Sequence, residues 1–208
     1  AILGNVQLLE EYVDPEDKPQ LQSLNDINEL GIRALSMING LLDVEELEDG
    51  LLKANRTEID LADFANHFPG FYSTEANARQ LRIRVEVSEG LKAYFDRELI
   101  GRIIENLFDN SVRYAPRKGE VVLRAYAESS DLVLEVGNSG PEIPFAERTR
   151  MFDRYYRLES RRKGARANRG LGLYFCRLAA EAHEGTIEVV SRADLPACFM
   201  LRLPSCVG

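Results

Sequence analysis

The sequence has no tryptophan, only three cysteines and two histidines among its 208 residues. The cysteines show no metal-ligand spacing and are too few for a disulfide framework, which favours a reducing compartment. No apolar run approaches the roughly 18 residues of a membrane-spanning helix, and residues 1–12 lack the pattern of a secretion signal. We therefore expect a chain that lies outside the bilayer, and exclude disulfide miniproteins, collagens and coiled-coil rods.

Hydrophobic residues make up 45% of the sequence and charged residues 29%, which is typical of a globular protein with a real core. The formal net charge of −8 argues against general binding to nucleic acid or to a membrane surface. Residues 148–169 nevertheless hold nine Arg or Lys against two acids, whereas residues 10–49 hold twelve acids against two bases. This contrast favours a small anionic ligand at a defined place; a solvated charged loop is the alternative.

Residues 1–50 have the pattern of two antiparallel helices. A break at residues 14–15 separates the first helix from a second apolar seam that runs from about Ser23 to a C-cap at Gly50. Such a hairpin alone buries too little surface to be stable. We expect it to pair with a second copy in a four-helix bundle; packing on its own chain's second domain is the alternative. The apolar side chains on one face of the first helix are Ile2, Val6, Leu9 and Val13.

From Thr57 onward the pattern changes to short strands and helices, which predicts an α+β fold with a mixed sheet and its helices on one face, a two-layer α/β sandwich. We expect domains at 1–50 and 51–208, and a long loop at 141–169 of the kind that often forms a lid. Strand 91–95 is expected to pair with strand 81–87 as a hairpin. The other predicted strands are 57–61, 119–129, 131–138, 185–191 and 198–204, and the helices are 61–79, 96–114 and 171–182.

Two asparagines stand in the middle of the helix predicted at 96–114, for which Asp96 is the predicted N-cap. Asn is a mediocre helix former, yet Asn106 and Asn110 lie four residues apart and therefore on one face, with Arg113 one turn later. Carboxamide oxygens suit Mg²⁺, and a guanidinium suits phosphate oxygens. This face could bind a metal-phosphate group; two unrelated surface asparagines are the alternative.

Two glycine-containing turns supply further candidates. A predicted strand ends in Asn138, and Gly140 allows a sharp turn with no side chain to obstruct a ligand. Asn138 could then hydrogen-bond a planar base; a plain turn is the alternative. Gly170 and Gly172 lead directly into the helix predicted at 171–182, where free backbone N–H groups attract anions. The basic segment that precedes them would supply the opposite charge.

These motifs, in this order, strongly resemble those of the bacterial sensor histidine kinases. The resemblance implies a Bergerat-type ATP-binding domain after a dimerisation and histidine-phosphotransfer hairpin, with ATP and Mg²⁺ as cofactors. The segments that resemble the N, G1, F and G2 boxes are ENLFDNSVRYAP, VGNSGPEIP, MFDRYYR and NRGLGLYFCRLAAEAHEGTIEVVS. LSMINGLLDVEELEDG resembles the end of the second dimerisation helix.

The resemblance also implies a role for each site residue. Asn110 would be the principal Mg²⁺ ligand, with Asn106 assisting. Arg113 stands where the family usually has Lys, and keeps the positive charge near the phosphates. The other predicted nucleotide contacts are Tyr114, Asn138, Gly140, Ile143, Gly170, Leu171, Gly172 and Leu173.

Two positions depart from the family pattern. Asn138 takes the place of an Asp that commonly binds the adenine amino group, and its carboxamide oxygen can still accept that hydrogen bond. Asn168 stands where a glycine is often found, which would stiffen the hinge of the lid. Phe152 and Tyr156 would anchor the lid by packing.

The phospho-accepting histidine of the family is absent from this sequence. In the family it lies on the first helix, before a stretch that resembles AILGNVQLL, and here the sequence begins at Ala1. His67 and His183 lack that context and are predicted to be structural. We therefore expect a fragment that begins inside the first helix, binds ATP and cannot phosphorylate itself.

The predicted function is that of the kinase domain of a two-component sensor, which transfers the γ-phosphoryl group of ATP to a histidine for relay to an aspartate of a response regulator. Catalysis would be chiefly positioning and charge neutralisation. The expected partners are a second copy through the hairpin and the receiver domain of the regulator, without nucleic acid. We expect a cytoplasmic location, with a membrane contact only through upstream segments. A degenerate signalling module that acts by binding, and another ATP-dependent enzyme of the same fold, are the alternatives.

Overall fold

The structure, a computed structural model, describes residues 2–10, 12–14, 17–50, 53–156 and 170–207. By compactness the chain divides into two units, Ala1–Glu45 and Glu46–Gly208. The domain boundary between residues 50 and 51 stays a prediction. Among the described residues, no helix is both long and apolar enough to cross a membrane.

The first two helices are α1 (Ile2–Glu10) and α2 (Lys18–Glu48). α2 begins at Lys18 and not near Ser23, because the Asp17 carboxylate accepts a hydrogen bond from the backbone N–H of Gln20 at 3.1 Å and so caps the helix. Beyond the end of α2, Gly50 has the predicted left-handed conformation, with φ of +65°.

Apolar side chains remain exposed along the first unit. Val6, Leu24 and Val44 are buried, but most of the described seam lies on the surface. Many exposed apolar side chains on the same pair of helices indicate an interaction surface. The exposed members are Leu8, Leu9, Ile27, Leu30, Leu35, Ile38 and Leu42.

The second unit contains a mixed five-stranded sheet, as predicted. Its strands are β2 (Arg82–Val87), β4 (Glu120–Glu128), β5 (Asp131–Asn138), β6 (Thr186–Val190) and β7 (Ala197–Leu203). The order is β2-β4-β5-β7-β6, in which β2 and β4 are parallel and the other neighbours are antiparallel. A separate two-stranded antiparallel sheet consists of β1 (Thr57–Asp60) and β3 (Lys92–Phe95).

The predicted hairpin between strands 81–87 and 91–95 is wrong. After β2 the chain continues along β4, where the Ser88 N–H donates to the Ala125 carbonyl at 3.0 Å. β3 pairs with β1 instead, and this pairing buries Ala93 and Phe95 completely. A short connection permits a hairpin, but the burial of the apolar face decides the partner of each strand.

The predicted helix at 61–79 is divided into three. They are α3 (Leu61–Ala65), α4 (Phe68–Phe71) and α5 (Ser73–Arg79). Pro69 has no backbone N–H to continue a helix, so it stands in the first turn of a new one. The Asp60 carboxylate caps α3 through the N–H groups of Ala62 and Asp63, at 2.9 and 3.2 Å.

Two longer helices, α6 (Arg97–Tyr114) and α8 (Gly172–Glu181), form the helical layer. α6 packs on β4 and β5, α8 packs on β6 and β7, and the helices contact each other, so both cover the same face of the sheet. This is the predicted two-layer arrangement. The fully buried side chains of the core include Ile100, Ile103, Ile104, Leu107, Leu123, Leu134 and Leu201.

The segment predicted as a loop at 141–169 begins with a short helix, α7 (Phe145–Arg148), and a 3₁₀ turn at Arg150–Phe152. The apolar pattern there was too short to indicate a helix. Residues 157–169, which include Asn168 and most of the basic run, lie outside the described residues.

His183 is a buried structural residue that joins the two long helices. Its Nδ1–H donates to the Ala179 carbonyl at 2.7 Å, and its Nε2 accepts from the Asp96 N–H at 3.1 Å. Asp96 in turn caps α6, since its carboxylate accepts from the Leu99 N–H at 3.0 Å. The ring must be neutral to accept at Nε2. Burial lowers the pKa of His183, and the nearby Arg56 guanidinium lowers it further.

We expect the free energy of unfolding to fall as the pH drops from 7.5 to 5.5. In this range the unfolded chain binds a proton at His183, whereas the folded chain does not, because its pKa is lowered. One proton contributes up to about 1.4 kcal/mol per pH unit. Urea unfolding at several pH values would measure this pH dependence of the free energy of unfolding. His183→Gln should flatten the dependence, and substitution of the exposed His67 by Gln should preserve it; equal slopes in both variants would contradict the assignment.

Candidate functional site

Asn106 and Asn110 hold their side chains by hydrogen bonds to their own helix, α6. Asn106 Nδ2 donates to the Arg102 carbonyl at 2.8 Å, and Asn110 Nδ2 donates to the Asn106 carbonyl at 3.0 Å. These bonds set the orientation of both carboxamides, so each Oδ1 is presented away from the helix backbone. Both residues are half-buried, which limits their freedom further.

The chemistry of these two oxygens fits Mg²⁺, which takes hard oxygen ligands. Within the described ranges, no group of three or more His, Cys, Asp or Glu side chains could hold a metal ion. A Mg²⁺ ion at the asparagines would therefore need further oxygen ligands, and those of a polyphosphate are of the right kind.

α8 begins directly beside Asn106. A Cβ atom added to Gly172 would collide with Asn106 Oδ1, so only glycine leaves this oxygen in place. Among the described residues, no side chain caps this end of α8, and the preceding residue is Leu171. The N–H groups of Gly172 and Leu173 lack helical acceptors and are available to an anion.

Gly170, directly after the segment predicted as a lid at 141–169, lies against Tyr155 and Tyr156 of that segment. Its φ is +74°, and a Cβ there would lie 2.6 Å from the Tyr156 carbonyl oxygen. The Gly170 carbonyl accepts from the Tyr155 N–H at 3.2 Å. Phe152 is buried and packs edge-on against Phe199, with ring centroids 6.4 Å apart. The role of Phe152 and Tyr156 as anchors of the lid stays a prediction.

The turn after β5 packs on the C-terminal end of α6. Asn138 is 2% exposed, and its Oδ1 accepts from the Gly140 N–H at 2.8 Å. A Cβ on Gly140 would lie 2.5 Å from this oxygen and 2.9 Å from the Tyr114 carbonyl oxygen. Ile143 follows, half-buried, and its carbonyl accepts from Arg148 Nε at 3.0 Å.

α6 is therefore the wall that the predicted site residues share. Near the middle of α6, Asn106 contacts Gly172. At the C-terminal end of α6, Tyr114 contacts Gly140. These two points are eight residues apart, which is about 12 Å along a helix. The carboxamides and the α8 amides thus lie at one end of the site, and Asn138 lies at the other. Arg113 is half-buried and Tyr114 is partly exposed on the last turn between them.

Acidic groups flank the asparagine face. Partial burial raises the pKa of Asp109, although the neighbouring Tyr72 hydroxyl and the charge of Arg113 act in the opposite direction. Partial burial and the neighbouring Asp109 also raise the pKa of Glu105. The Tyr72 hydroxyl donates to the Glu105 carbonyl at 3.1 Å. These contacts hold α6 against the segment that precedes α5.

Two arginines that the sequence did not single out support the site. Arg79, the last residue of α5, donates to three carbonyls at the C-terminal end of α6, those of Val112, Arg113 and Ala115. Arg102 lies with its guanidinium 4.2 Å from the Phe175 ring centroid and so joins α6 to α8. Arg79 is 33 to 36 residues away from its partners, so no local pattern could have revealed it.

Arg79→Met should loosen the last turn of α6. Loss of the charged cap leaves the helix-end carbonyls without their donor, and we expect the free energy of unfolding to fall by about 2 kcal/mol. Urea unfolding is the measurement. Arg82→Met is the matched control, because Arg82 is largely exposed and pairs with Glu120 at the surface. An equal loss in both variants would contradict the capping role.

The model of the histidine kinase-, DNA gyrase B- and HSP90-like ATPase family matches residues 95–206. The alginate biosynthesis sensor protein KinB of Pseudomonas aeruginosa is 28% identical over 199 residues. That match covers 95% of this chain and 33% of KinB, so the chain spans about a third of the relative's length.

Solved structures share the fold. Full-length ShkA in complex with AMPPNP has a TM-score of 0.83 at 21% identity, covering 99% of this chain and 42% of that one. The histidine kinase ThkA in complex with the response regulator protein TrrA has a TM-score of 0.66 at 20% identity, covering 98% and 56%. At these identities the likeness concerns the fold alone.

Proposed function

Since the chain belongs to the histidine kinase-, DNA gyrase B- and HSP90-like ATPase family, as the ATP-binding kinase domain of a bacterial two-component sensor, we propose that it transfers the γ-phosphoryl group of ATP to a histidine. The observation that carries this proposal is the pair of carboxamides that hydrogen bonds orient on α6, of which Asn106 faces Gly172 at the start of α8. It combines two hard oxygen ligands with a helix N-terminus, as a metal-bound polyphosphate requires.

We propose that these residues position the metal ion and the phosphates of the nucleotide. Asn110 and Asn106 would hold Mg²⁺, which when bound would neutralise charge on the phosphate oxygens. The amides of Gly172 and Leu173 orient the phosphates, and Arg113 adds positive charge. A neutral imidazole is already a nucleophile, so alignment of the acceptor with the γ-phosphorus is the chief requirement. The proposed contacts to the nucleoside are Tyr114, Asn138, Gly140 and Ile143.

The acceptor histidine that we propose lies outside this sequence. His183 is fully buried and both of its ring nitrogens are engaged, so it cannot meet a phosphoryl group. His67 is exposed, and its ring packs edge-on against Phe71 with centroids 4.9 Å apart; its sequence context does not resemble that of the family's acceptor histidine. A histidine presented by a helical hairpin is the expected substrate.

The proposed partners are a second copy of the chain and a response regulator, in the cytoplasm. The exposed apolar stripe of α1 and α2 supports the first, because a four-helix bundle would cover it. The solved complex of ThkA with TrrA, which shares this fold, supports the second. Analytical ultracentrifugation tests the dimer: a monomer at all concentrations would contradict it.

Thermal unfolding with AMPPNP tests the nucleotide site. A ligand that binds only the folded form raises the midpoint, and at 100 times its dissociation constant it adds about 2.7 kcal/mol to the free energy of unfolding. We expect a rise with Mg²⁺ and AMPPNP together and a smaller one without Mg²⁺. No rise at millimolar nucleotide would refute the proposal.

A second candidate is a kinase-like module that binds nucleotide without phosphoryl transfer. It is favoured by Asn138, an uncharged group at the end of the site where the nucleotide base would lie (the base end). Transfer from ATP labelled at the γ-phosphate to a sensor-kinase hairpin that carries the acceptor histidine separates the two. Acid-labile label on the hairpin supports the kinase. A thermal shift without label supports the module.

A further inference from the structure

The base end of the site presents a carboxamide whose orientation the structure determines. Asn138 Oδ1 lies 2.8 Å from the Gly140 backbone nitrogen and accepts its hydrogen bond. A backbone N–H can donate to the carboxamide oxygen but not to the NH₂ group. The oxygen must therefore be the atom beside Gly140, and the NH₂ group is the other end of the same planar group.

This end of β5 is rigid. Asn138 is paired on one side with Val121 of β4 and on the other with Ala197 of β7. The preceding residue, Gly137, has no room for a Cβ, which would lie 3.0 Å from the Ala197 carbonyl oxygen. Since Asn138 is also 2% exposed, its carboxamide cannot turn to suit each ligand.

Purines differ at the edge that such a group would read. Adenine carries an amino donor at position 6, whereas guanine carries an oxygen acceptor there. A carboxylate offers only acceptors and a negative charge, so it would favour the amino group and repel the oxygen. The Asn138 carboxamide is uncharged. Its NH₂ group can donate to an oxygen at position 6, and the second lone pair of its oxygen can accept from an amino group, so it can pair with either purine without turning.

We propose that Asn138 makes this site tolerant of 6-oxopurine nucleotides, so that it binds GTP and ITP about as tightly as ATP. This rests on the proposed function, because it requires the nucleotide base to lie against Asn138. Asn138 is then the residue that determines base selectivity, and its NH₂ group is the donor to the oxygen at position 6.

Dissociation constants of Mg²⁺ complexes of ATP, GTP and ITP, measured by calorimetry for the unaltered protein and for Asn138→Asp, test the proposal. For the unaltered protein we expect the three values to agree within about fivefold. Asn138→Asp should tighten ATP and weaken both GTP and ITP, each about tenfold, since a charged acceptor replaces a neutral donor. ITP lacks the 2-amino group of guanine, so it isolates the effect of position 6.

Asn77→Asp is the matched control, because Asn77 is exposed on α5 and the chemical change is the same; it should leave all three constants unchanged. Thermal unfolding of the free proteins shows whether Asn138→Asp still folds. If it does not, the unaltered protein decides alone: binding of ATP with both ITP and GTP more than about fivefold weaker overturns the proposal. So does an unchanged ratio in a folded Asn138→Asp. Failure of all three nucleotides to bind either protein would instead refute the proposed function.

Discussion

Asn110→Asp is expected to weaken the binding of Mg-ATP at least 100-fold, or about 2.7 kcal/mol. The substitution removes the Nδ2 donor that bonds the Asn106 carbonyl at 3.0 Å and sets the orientation of the side chain. It also places a second carboxylate oxygen against that carbonyl, where two acceptors repel. The new negative charge would face the triphosphate at the point where the site must neutralise it.

Calorimetry with AMPPNP measures this loss, and circular dichroism shows that the fold is retained. Asn110 is half-buried on the surface of α6, so we expect the lost hydrogen bond to reduce the free energy of unfolding by only about 1 kcal/mol. Asn77→Asp on α5 is again the control for a change of charge elsewhere. If Asn110→Asp binds the nucleotide as the unaltered protein does, the assignment of Asn110 as a metal ligand fails.

Gly172→Ala is expected to weaken ATP at least tenfold and to leave adenosine unchanged. The added Cβ would collide with Asn106 Oδ1, so the carboxamide must leave its position and the start of α8 becomes obstructed. Both effects fall on the phosphate end of the site. Adenosine has no phosphate and would contact only the base end, about 12 Å away along α6.

The same substitution should not destabilise the protein, because Ala is a better helix former than Gly by about 1 kcal/mol. A loss of affinity without a loss of stability is therefore the expected signature, measured by calorimetry and urea unfolding together. Gly101→Ala on α6 is the matched control, since the nearest atom to its new Cβ is Phe64 Cε2 at 4.0 Å. Equal losses for ATP and adenosine would refute a phosphate cradle at Gly172.

Local patterns predicted the parts of the site that depend on neighbours in sequence. Asp96 caps α6 as predicted, because an N-cap needs only an acceptor two or three residues before the first free N–H groups. The spacing of Asn106 and Asn110 places them on one helix face for the same local reason. The resemblance to sensor histidine kinases added the order of the motifs, which the family match over residues 95–206 supports.

Predictions that depend on a partner far along the chain were wrong or were not made. The spacing of strands 81–87 and 91–95 indicated a hairpin, but β2 pairs in parallel with β4 and β3 pairs with β1. Arg79 was missed because its three acceptors lie at the end of a different helix. The resemblance predicts that Asn138 contacts the nucleotide base, but the sequence could not show which atom of the carboxamide faces Gly140.

The sequence by itself determined the long helices α6 and α8, the caps at Asp96 and Gly50 and the two-layer class of fold, because each of these depends on residue type and on spacings of a few residues. Only the tertiary structure decided which strands are neighbours, that Gly172 lies against Asn106, and that the Gly140 N–H holds the Asn138 oxygen. Those facts depend on how apolar faces are buried and buried polar groups are satisfied across the whole fold, and no local pattern records them.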